Sequence, residues 1–240
     1  MIARLHLIAA FGCAATGALA QDTLYFGTDG AFPPSVYIDD AGTLAGTEPE
    51  MLALLCAELS LDCQWTIMPF SDLEAALEAG EIDAILASLS PTPERSARMV
   101  FTRNYYRSEP DYFAFIPSDR PLPKSVDTAS IGAQIGSIHA DYVADHTGGT
   151  LVTFATQIET IQALASGKVD LIFASNAWLG EMANMHNILQ YGAAVTDLAG
   201  GAAIAFAPQN AALAARFSAV IDVIEADGRL DQLRSGDNGG

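Results

Sequence analysis

The stretch SLSPTPERS combines hydroxyl side chains with a single arginine in a pattern that suits the binding of an anion. Two serines and Thr92 follow a predicted buried strand, and Arg95 lies one turn further on. Thr92 can cap a short helix with Pro93 at its first position, which places Arg95 in that helix. A guanidinium binds a carboxylate through two parallel N–H bonds, and nearby hydroxyls and amides can satisfy the remaining lone pairs. The stretch therefore predicts a carboxylate site. The alternative is an arginine that merely solvates a surface helix.

The residues that could do acid–base chemistry form no recognisable catalytic motif. Asp29, His139 and Glu181 are the candidates for a general acid or base, and no motif pairs them. The sequence contains no nucleophile elbow, no phosphate-binding loop and no metal-binding cluster. We therefore expect a binding protein without a cofactor or metal, and not an enzyme. His139 is equally well explained as a solvated histidine at the start of a helix.

A twelve-residue phrase occurs twice and indicates where binding groups would be positioned. LEAGEIDAILAS ends at Ser88, and LASGKVDLIFAS ends at Ser175. In each copy a glycine ends a helix, and a buried strand then runs to its carboxyl end. Ligands of open parallel α/β sheets bind just beyond such ends. The repeat predicts two similar α/β lobes that share a cleft. The alternative is that any βαβ protein reuses this helix, glycine and strand order.

The hydrophobic periodicity predicts strand, helix, strand, helix, strand in each half, and hence a mostly parallel α/β fold. In the first half the predicted elements are TLYFGTD, EPEMLALLCAELSL, CQWTIMP, SDLEAALEAG and IDAILAS. In the second half they are ASIGAQIG, HADYVADH, LVTFA, TQIETIQALASG and VDLIFAS. Helices are also expected around NAWLGEMANM and in the terminal NAALAARFSAVIDVIEADG. Ser71 is the predicted cap of its helix, and Gly80 is its predicted end.

The N-terminal residues 1–20 have the features of a secretory signal. Arg4 precedes a short apolar run, and Ala18-Leu19-Ala20 is a small-residue cleavage site before Gln21. A first helix of the fold and a lipoprotein start at Cys13 are the alternatives. The segment therefore predicts a protein that is exported to an oxidising compartment.

Export also affects the interpretation of the cysteines. Removal of residues 1–20 leaves Cys56 and Cys63, and an even pair in an oxidising compartment favours a disulfide. A zinc site has no histidine nearby to complete it. Two buried free thiols remain the alternative.

The formal net charge of −18 makes nucleic acid an unfavourable partner, because the phosphate backbone repels such a surface. An anionic ligand would need a few local cations to hold it against this field.

The chain resembles the periplasmic amino-acid-binding proteins of solute-binding family 3, of the lysine/arginine/ornithine- and histidine-binding kind. The segments that carry the resemblance are GTDGAFPP, the Cys56–Cys63 pair, MPFSDL, SLSPTPER, IGAQIGS, SGKVDLIFAS and EADGRLDQL. It implies a periplasmic-binding-protein type II fold with two lobes joined by a two-segment hinge. Lobe I would comprise 21–106 and 204–240, and lobe II 107–203. It also implies a monomer that closes over a small carboxylate-bearing solute and delivers it to an inner-membrane ABC permease.

The ligand-binding residues that this resemblance implies are Asp29, Phe32, Phe70, Ser88, Leu89, Ser90, Arg95, Ser137, Ile138, His139 and Ser175. By the resemblance, Arg95, Ser90 and the backbone at Ser137 would hold an α-carboxylate.

The rest of the ligand would meet lobe I groups. Phe32 and Phe70 would sandwich its side chain, as the aromatic walls of amphipathic pockets do. Asp29 would face its distal end, and Ser88 would offer a carbonyl to its ammonium group.

Three departures from the family pattern concern the same cleft. The family usually has an aspartate where Ser175 stands, so the expected counterion of the α-ammonium is missing. His139 and Ile138 replace smaller or polar residues, and Thr47 and Ser35 replace aromatic ones. An amino acid is the first expected ligand, and Ser175→Asp is expected to improve its affinity. The alternatives are a non-amino organic acid, a sensory or accessory module, and a periplasmic dehydratase of the same fold.

Overall fold

The computed structural model describes residues 23–107, 110–176, 178–180, 182, 188–196, 198 and 201–235. The expected signal segment with Cys13, the candidate base Glu181 and the Gly/Asp tail after residue 235 lie outside these residues. Among the helices that are described, none has the length and apolar character needed to span a membrane.

The described strands, in chain order, are β1 (Leu24–Thr28), β2 (Ala31–Phe32), β3 (Val36–Ile38), β4 (Leu44–Ala45), β5 (Cys63–Ile67), β6 (Ala84–Ile85), β7 (Val100–Phe101), β8 (Tyr106–Arg107), β9 (Asp111–Phe115), β10 (Ser130–Gln134), β11 (Thr150–Phe154), β12 (Leu171–Ser175), β13 (Leu189–Val195), β14 (Gly201–Ala202) and β15 (Ala205–Phe206). The helices described over their whole length are α1 (Thr47–Leu59), α2 (Leu73–Ala79), α3 (Pro93–Ser96), α4 (Ile138–His146), α5 (Gln157–Ala165), α6 (Ala211–Ala226) and α7 (Arg229–Ser235). A further helical segment after β12 is described in part, between residues 176 and 182.

Ten of the described strands form two five-stranded sheets, and the others form a three-stranded sheet, β2-β3-β4, and the pair of β14 and β8. The first sheet has the order β5-β1-β6-β15-β7, and the second has the order β11-β10-β12-β9-β13. The three strands predicted in each half pair in parallel, while β15 and β9 join their sheets antiparallel. We call the first sheet with its helices lobe I, and the second sheet with its helices lobe II. The prediction of a mixed α/β fold with two similar halves is confirmed.

Both copies of the repeated phrase end in a strand that is buried on its two faces. In lobe I, Ala84 and Leu86 pack in the cluster of α1 and α6, whereas Ile85 and Ala87 pack in the cluster of α2. The alternation places successive side chains on opposite faces of the sheet, so both faces need apolar residues. The continuous apolar run is thus the signature of a central strand. β12 alternates in the same way between two clusters of lobe II.

The aspartate of each phrase has the same structural task. Asp83 accepts a hydrogen bond from the backbone N–H of Tyr25 over 2.8 Å, and Asp170 accepts one from Ser130 over 2.9 Å. Each carboxylate thus accepts a hydrogen bond from a backbone N–H near the start of the neighbouring parallel strand, in place of a backbone carbonyl. Hydrogen bonding is the main reason that the pKa of Asp170 lies below its usual value.

The core of lobe I forms between its sheet and three helices. Phe26 of β1 meets Phe206 of β15 and Phe217 of α6, with ring centroids 6.2 and 5.7 Å apart. All three rings are fully buried, and burial of each side chain stabilises the fold by about 1.5–3 kcal/mol. The terminal helices are therefore part of lobe I, although they follow lobe II in the chain.

The chain crosses between the lobes twice, and the two crossings pair with each other. β8 lies on the way into lobe II and β14 on the way back, and they form a two-stranded antiparallel ladder. Tyr106 pairs with Ala202, and Arg107 pairs with Gly201. This arrangement is the two-segment hinge that was expected.

Local predictions are confirmed except at a few positions. Cys56 and Cys63 form a disulfide that joins α1 to β5. Gly80 ends α2 in the left-handed conformation with φ 73°, but the prediction for Ser71 is wrong. Asp72 occupies the cap position, and the hydroxyl of Ser71 donates to its carboxylate. A short 3₁₀ turn precedes the helix and displaces its start.

Candidate ligand-binding cleft

A cavity of about 150 Å³ lies between the two lobes, and residues of both lobes line it. Of the residues expected at a ligand site, the lining includes Asp29, Phe32, Phe70, Ser88, Ser90, Arg95, Ser137, Ile138, His139 and Ser175. The carboxyl ends of β6 and β12 thus open into one cleft, as the repeated phrase predicts. Leu89 is placed elsewhere. Its side chain is buried in the cluster of lobe I that contains α2, so it is a core residue.

Arg95 is a buried cation of the cavity wall and bonds to groups of both lobes. Its side chain is only 7% exposed, and Nε donates to Glu74 Oε1 over 2.7 Å. Nη1 donates to the carbonyl oxygen of Ser90 and Nη2 to that of Gly136, each over 3.0 Å. A guanidinium has five N–H groups, and these contacts use three of them. One N–H on each terminal nitrogen is left for a ligand, a pair that fits the two oxygens of a carboxylate.

Two short helices fix the groups around Arg95. Thr92 caps α3, because its hydroxyl accepts a hydrogen bond from the Arg95 N–H over 3.1 Å. In lobe II the hydroxyl of Ser137 caps α4 through the N–H of Ala140. Gly136 immediately precedes this cap with φ 75°, and a Cβ there would lie 3.3 Å from Ser71 Cα in lobe I. Glycine therefore allows the two lobes to approach at this point.

Asp29 makes a second contact between the lobes. Its Oδ2 accepts a hydrogen bond from Gln134 Nε2 over 2.9 Å. Burial raises the pKa of Asp29, and the hydrogen bonds from Gln134 and the backbone of Ala31 oppose this rise. The carboxylate is thus partly desolvated, and it would gain from a cationic group of a ligand.

Ser88 is held by a buried carboxylate behind the cavity. Its N–H and its hydroxyl both donate to Glu48 Oε1 over 2.7 Å, and the hydroxyl of Tyr105 donates to the same oxygen over 2.6 Å. Burial raises the pKa of Glu48, and burial together with Glu48 raises that of Tyr105 well above its usual value. Ser88 has a positive φ of 51°, and this left-handed conformation is energetically unfavourable for a residue other than glycine. Because its N–H and hydroxyl are both engaged with Glu48, its carbonyl is the backbone group left for the ligand.

Aromatic rings form one wall of the cavity. Phe32 of lobe I stacks on Trp178 of lobe II, with centroids 6.1 Å apart and an angle of 26° between the rings. Phe70 lines the cavity as well. The Trp178 side chain is buried, and its indole N–H has no hydrogen-bond partner among the described residues. The three rings offer apolar contact area to the side chain of a ligand.

His139 is paired with a carboxylate that the sequence did not single out. His139 Nε2 lies 2.9 Å from Asp111 Oδ1, and both side chains are largely buried. Asp111 is the first residue of β9 and lies directly opposite Ser175 of β12. His139 is therefore a partnered residue of the cleft and not a solvated helix terminus.

Sequence reasoning missed several residues that line the cavity. These are Asp111, Gln134, Gln157, Trp178, Tyr106, Arg107 and Arg234. Gln134 and Asp111 lie inside or at the start of strands, and the only signal for Gln134 was a polar residue in an apolar strand. Arg234 comes from the last helix and bonds to the carbonyl oxygen of Tyr105. Arg234 and Tyr105 are 129 residues apart in the chain, so the sequence did not indicate that Arg234 would lie beside the hinge.

The described residues contain no group of side chains that could hold a metal ion. What they do contain is a buried cation, polar groups with free bonding capacity and aromatic walls, enclosed between two lobes that share a strand hinge. A fold and a cleft of this kind define a two-lobed solute-binding protein. Residues 24–236 match the profile of the bacterial extracellular solute-binding proteins, family 3, and the chain belongs to this family.

Known relatives agree with the family and with the fold. The ABC transporter arginine-binding protein 1 of Escherichia coli (strain K12) is 26% identical over 240 residues, which are 96% of this chain and 96% of that protein. A crystal structure of a periplasmic His/Glu/Gln/Arg/opine family-binding protein from Silicibacter pomeroyi, in complex with lysine, is 31% identical. It covers 88% of this chain and 94% of that chain, with a TM-score of 0.80. The predicted periplasmic-binding-protein type II fold is confirmed.

A third similarity concerns the fold alone. An ancestral amino acid-binding protein, described as a precursor of cyclohexadienyl dehydratase, is 19% identical to this chain. It covers 89% of this chain and 94% of that chain, with a TM-score of 0.80.

Proposed function

We propose that the protein binds a small L-amino acid between its lobes and delivers it to an ABC transporter of the inner membrane. The observation that carries this proposal is the buried Arg95 guanidinium, which keeps one N–H free on each terminal nitrogen inside the cavity. A buried guanidinium is the group that best matches a carboxylate in geometry and charge. Ser90 and the N-terminus of α4 add polar groups beside it.

Two acidic side chains of the cavity would bind the positively charged part of the ligand. Asp29 and Asp111 both line the cavity, so the site offers negative charge as well as a cation. A zwitterion or a cationic amino acid complements this distribution better than a simple anion does. Relatives that are described as binding arginine, or as holding lysine, support this ligand class.

The cellular setting follows from the same proposal. Residues 1–20 would direct export and be removed, and the mature protein would work in the periplasm as a monomer. Lobe I would comprise 21–106 and 204–240, and lobe II 107–203, with β8 and β14 as the hinge. The lobes would close on the ligand and present one surface to the permease. A sensory partner would use the same closure.

A dehydratase activity is the second candidate, because a precursor of such an enzyme shares the fold. The general acid and base candidates within the described residues are each bonded to a neighbour, Asp29 to Gln134 and His139 to Asp111. These bonds do not pair the two candidates with each other, and the named relatives are described as binding proteins. Binding without turnover is therefore the favoured function.

The experiment combines a ligand screen with a search for product. The mature protein, residues 21–240, is purified and refolded to remove bound ligand. Thermal shifts are then measured with the twenty L-amino acids and with carboxylates that lack the amino group. We expect amino acids to raise the melting temperature and calorimetry to give one site per chain. A response confined to the amine-free carboxylates would contradict the proposal. New products in mass spectra after incubation would show that the protein is an enzyme.

A further inference from the structure

Two polar side chains face each other across the antiparallel pair of β9 and β12. Asp111 is directly opposite Ser175, and both line the cavity. Directly opposed residues of an antiparallel pair point to the same face of the sheet, with Cβ atoms about 4.5–5.5 Å apart. A carboxylate at position 111 therefore reaches the part of the cavity that a carboxylate at position 175 would reach.

We infer that Asp111 is the residue that binds the ammonium group of the ligand, at the strand end where Ser175 carries no charge. The inference rests on the proposed function, since it assigns a residue to one group of the proposed ligand. It makes the amino group a determinant of affinity, and it places the two charges of the site on different lobes. Arg95 of lobe I meets the carboxylate and Asp111 of lobe II meets the amine.

The environment of Asp111 suits this role. Its side chain is 8% exposed, so a ligand ammonium there is withdrawn from water, where ionic hydrogen bonds are strongest. Oδ1 is bonded to His139 Nε2, whereas Oδ2 takes no hydrogen bond from any residue of the described part of the chain. One carboxylate oxygen is thus left for the ligand. The hydrogen bond to His139 fixes the position of the other oxygen, Oδ1.

His139 acts as a positioning residue in this arrangement. Its ring packs edge-on against the buried Phe173, with centroids 5.2 Å apart and an angle of 83° between the rings. The contact with Phe173 restrains the ring of His139, and the hydrogen bond from Nε2 restrains the carboxylate of Asp111. The histidine therefore limits the rotation of the carboxylate and reduces the entropy lost when a ligand binds.

The other polar groups of the cavity do not supply the same charge at this place. Ser175 Oγ lies 3.5 Å from the backbone nitrogen of Trp178 and is uncharged. Asp29 belongs to lobe I, and its two oxygens already accept bonds from Gln134 and the backbone of Ala31. Asp111 is the carboxylate of lobe II that lines the cavity within the described residues.

The test compares amino acids with analogues that have hydrogen in place of the α-amino group. The pairs are L-arginine with 5-guanidinopentanoate, and L-glutamate with pentanedioate. Calorimetry is carried out on the mature wild type, on Asp111→Asn and on Asp111→Asn/Ser175→Asp. We expect wild type to prefer the amino acid that it binds over its analogue by at least tenfold. We expect Asp111→Asn to lower the affinity for the amino acid at least tenfold and the affinity for the analogue less than threefold.

The double variant separates the loss of a charge from a loss of structure. The double variant places a carboxylate at position 175, on the same face of the sheet as position 111. We therefore expect it to recover most of the lost preference for the amino acid over its amine-free analogue. Equal weakening of both members of a pair in Asp111→Asn, or no weakening, would overturn the inference. If Asp111→Asn fails to fold, equal binding of amino acid and analogue by wild type would overturn it. Failure of every L-amino acid to bind wild type would instead overturn the proposed function itself.

Discussion

The Nη2 atom of Arg95 donates a hydrogen bond to the carbonyl oxygen of Gly136 over 3.0 Å, and this bond joins lobe I to lobe II across the cleft. The group expected to hold the ligand's carboxylate therefore also holds the lobes together. A ligand that uses the remaining N–H groups would add to this contact without breaking it. Binding and closure are thereby coupled through one side chain.

Removal of the guanidinium should test this coupling directly. Arg95→Ala is expected to weaken the binding of the proposed amino acid at least tenfold, about 1.4 kcal/mol, because the carboxylate loses its buried cation. Isothermal titration calorimetry measures the change. Arg98→Ala is the matched control, since Arg98 shares Glu74 but is 41% exposed and pairs with Glu78 outside the cleft. We expect less than a threefold effect for the control. Similar losses in both variants would show that general charge, and not the buried clamp, governs affinity.

Gly136→Ala should impair closure without touching the charged groups. The residue has φ 75°, and the new Cβ would lie 3.3 Å from Ser71 Cα of the other lobe. We expect affinity to fall between threefold and tenfold, because the closed lobes would have to move apart to accommodate the methyl group. Gly42→Ala provides the control, because it has φ 80° and its added methyl carbon would have no neighbouring heavy atom within 4 Å. The control should lose stability to a similar degree and keep its affinity. Unchanged affinity in Gly136→Ala would argue against close approach of the lobes here.

The pH dependence of stability should reveal the buried carboxylate of Asp29. Burial raises its pKa above 3.8, so the folded state holds this proton more tightly than the unfolded state does. Its contribution to stability is present at low pH and is lost as the pH rises through the folded pKa. Asp29→Asn removes the charge. We expect the variant to melt at a higher temperature than wild type at pH 7, with a difference that shrinks toward pH 4.

Asp62→Asn is the control of opposite sign. Hydrogen bonds from Thr23 and Gln64 lower the pKa of Asp62 below 3.8, so its contribution is present at neutral pH and lost as the pH falls through the folded pKa. This variant should melt at a lower temperature than wild type at pH 7, with a difference that vanishes in acid. Thermal unfolding from pH 3 to pH 8 measures both. A pH-independent difference for Asp29→Asn would contradict the assignment of a desolvated carboxylate.

Ser175→Asp alone should also change the stability of the protein, an effect that the sequence did not indicate. The sequence predicts improved affinity for amino acids, but the structure places Asp111 directly across the strand pair. Two opposed carboxylates repel each other and destabilise the pair. We therefore expect the unliganded single variant to melt below wild type, and the double variant with Asp111→Asn to melt above the single one. A single variant as stable as wild type would show that His139 or solvent neutralises the added charge.

The disulfide should contribute a modest stabilisation. Cys56 and Cys63 are seven residues apart, and closure of so short a loop restricts the unfolded chain little, by about 2 kcal/mol. The variant with alanine at both positions should lose about this free energy of unfolding in urea. Wild type treated with dithiothreitol should lose a similar amount. A loss several times larger would mean that the sulfur atoms also matter for core packing.

The sequence predicted the site's lobe I half well because its signals are local. Thr92 and Pro93 specify the start of α3, and with it the position of Arg95, through interactions within one helical turn. The glycines and apolar runs of the repeated phrases place Ser88 and Ser175 at strand ends. Parallel packing of central strands then brings both ends to one cleft without further information. Cap residues such as Ser71 were less predictable, because a neighbouring turn can shift a helix start by one residue.

What the sequence by itself determined is the two-lobed α/β fold, the helix start that carries Arg95 and the strand end that carries the uncharged Ser175. Only the tertiary structure decided that Asp111 lies opposite this serine, that Gln134 meets Asp29 and that Arg95 bonds to Gly136. These partners are 105 and 41 residues apart in the last two cases. The physical reason is that such contacts depend on strand register and on how the lobes meet, and neither leaves a periodic pattern in the chain.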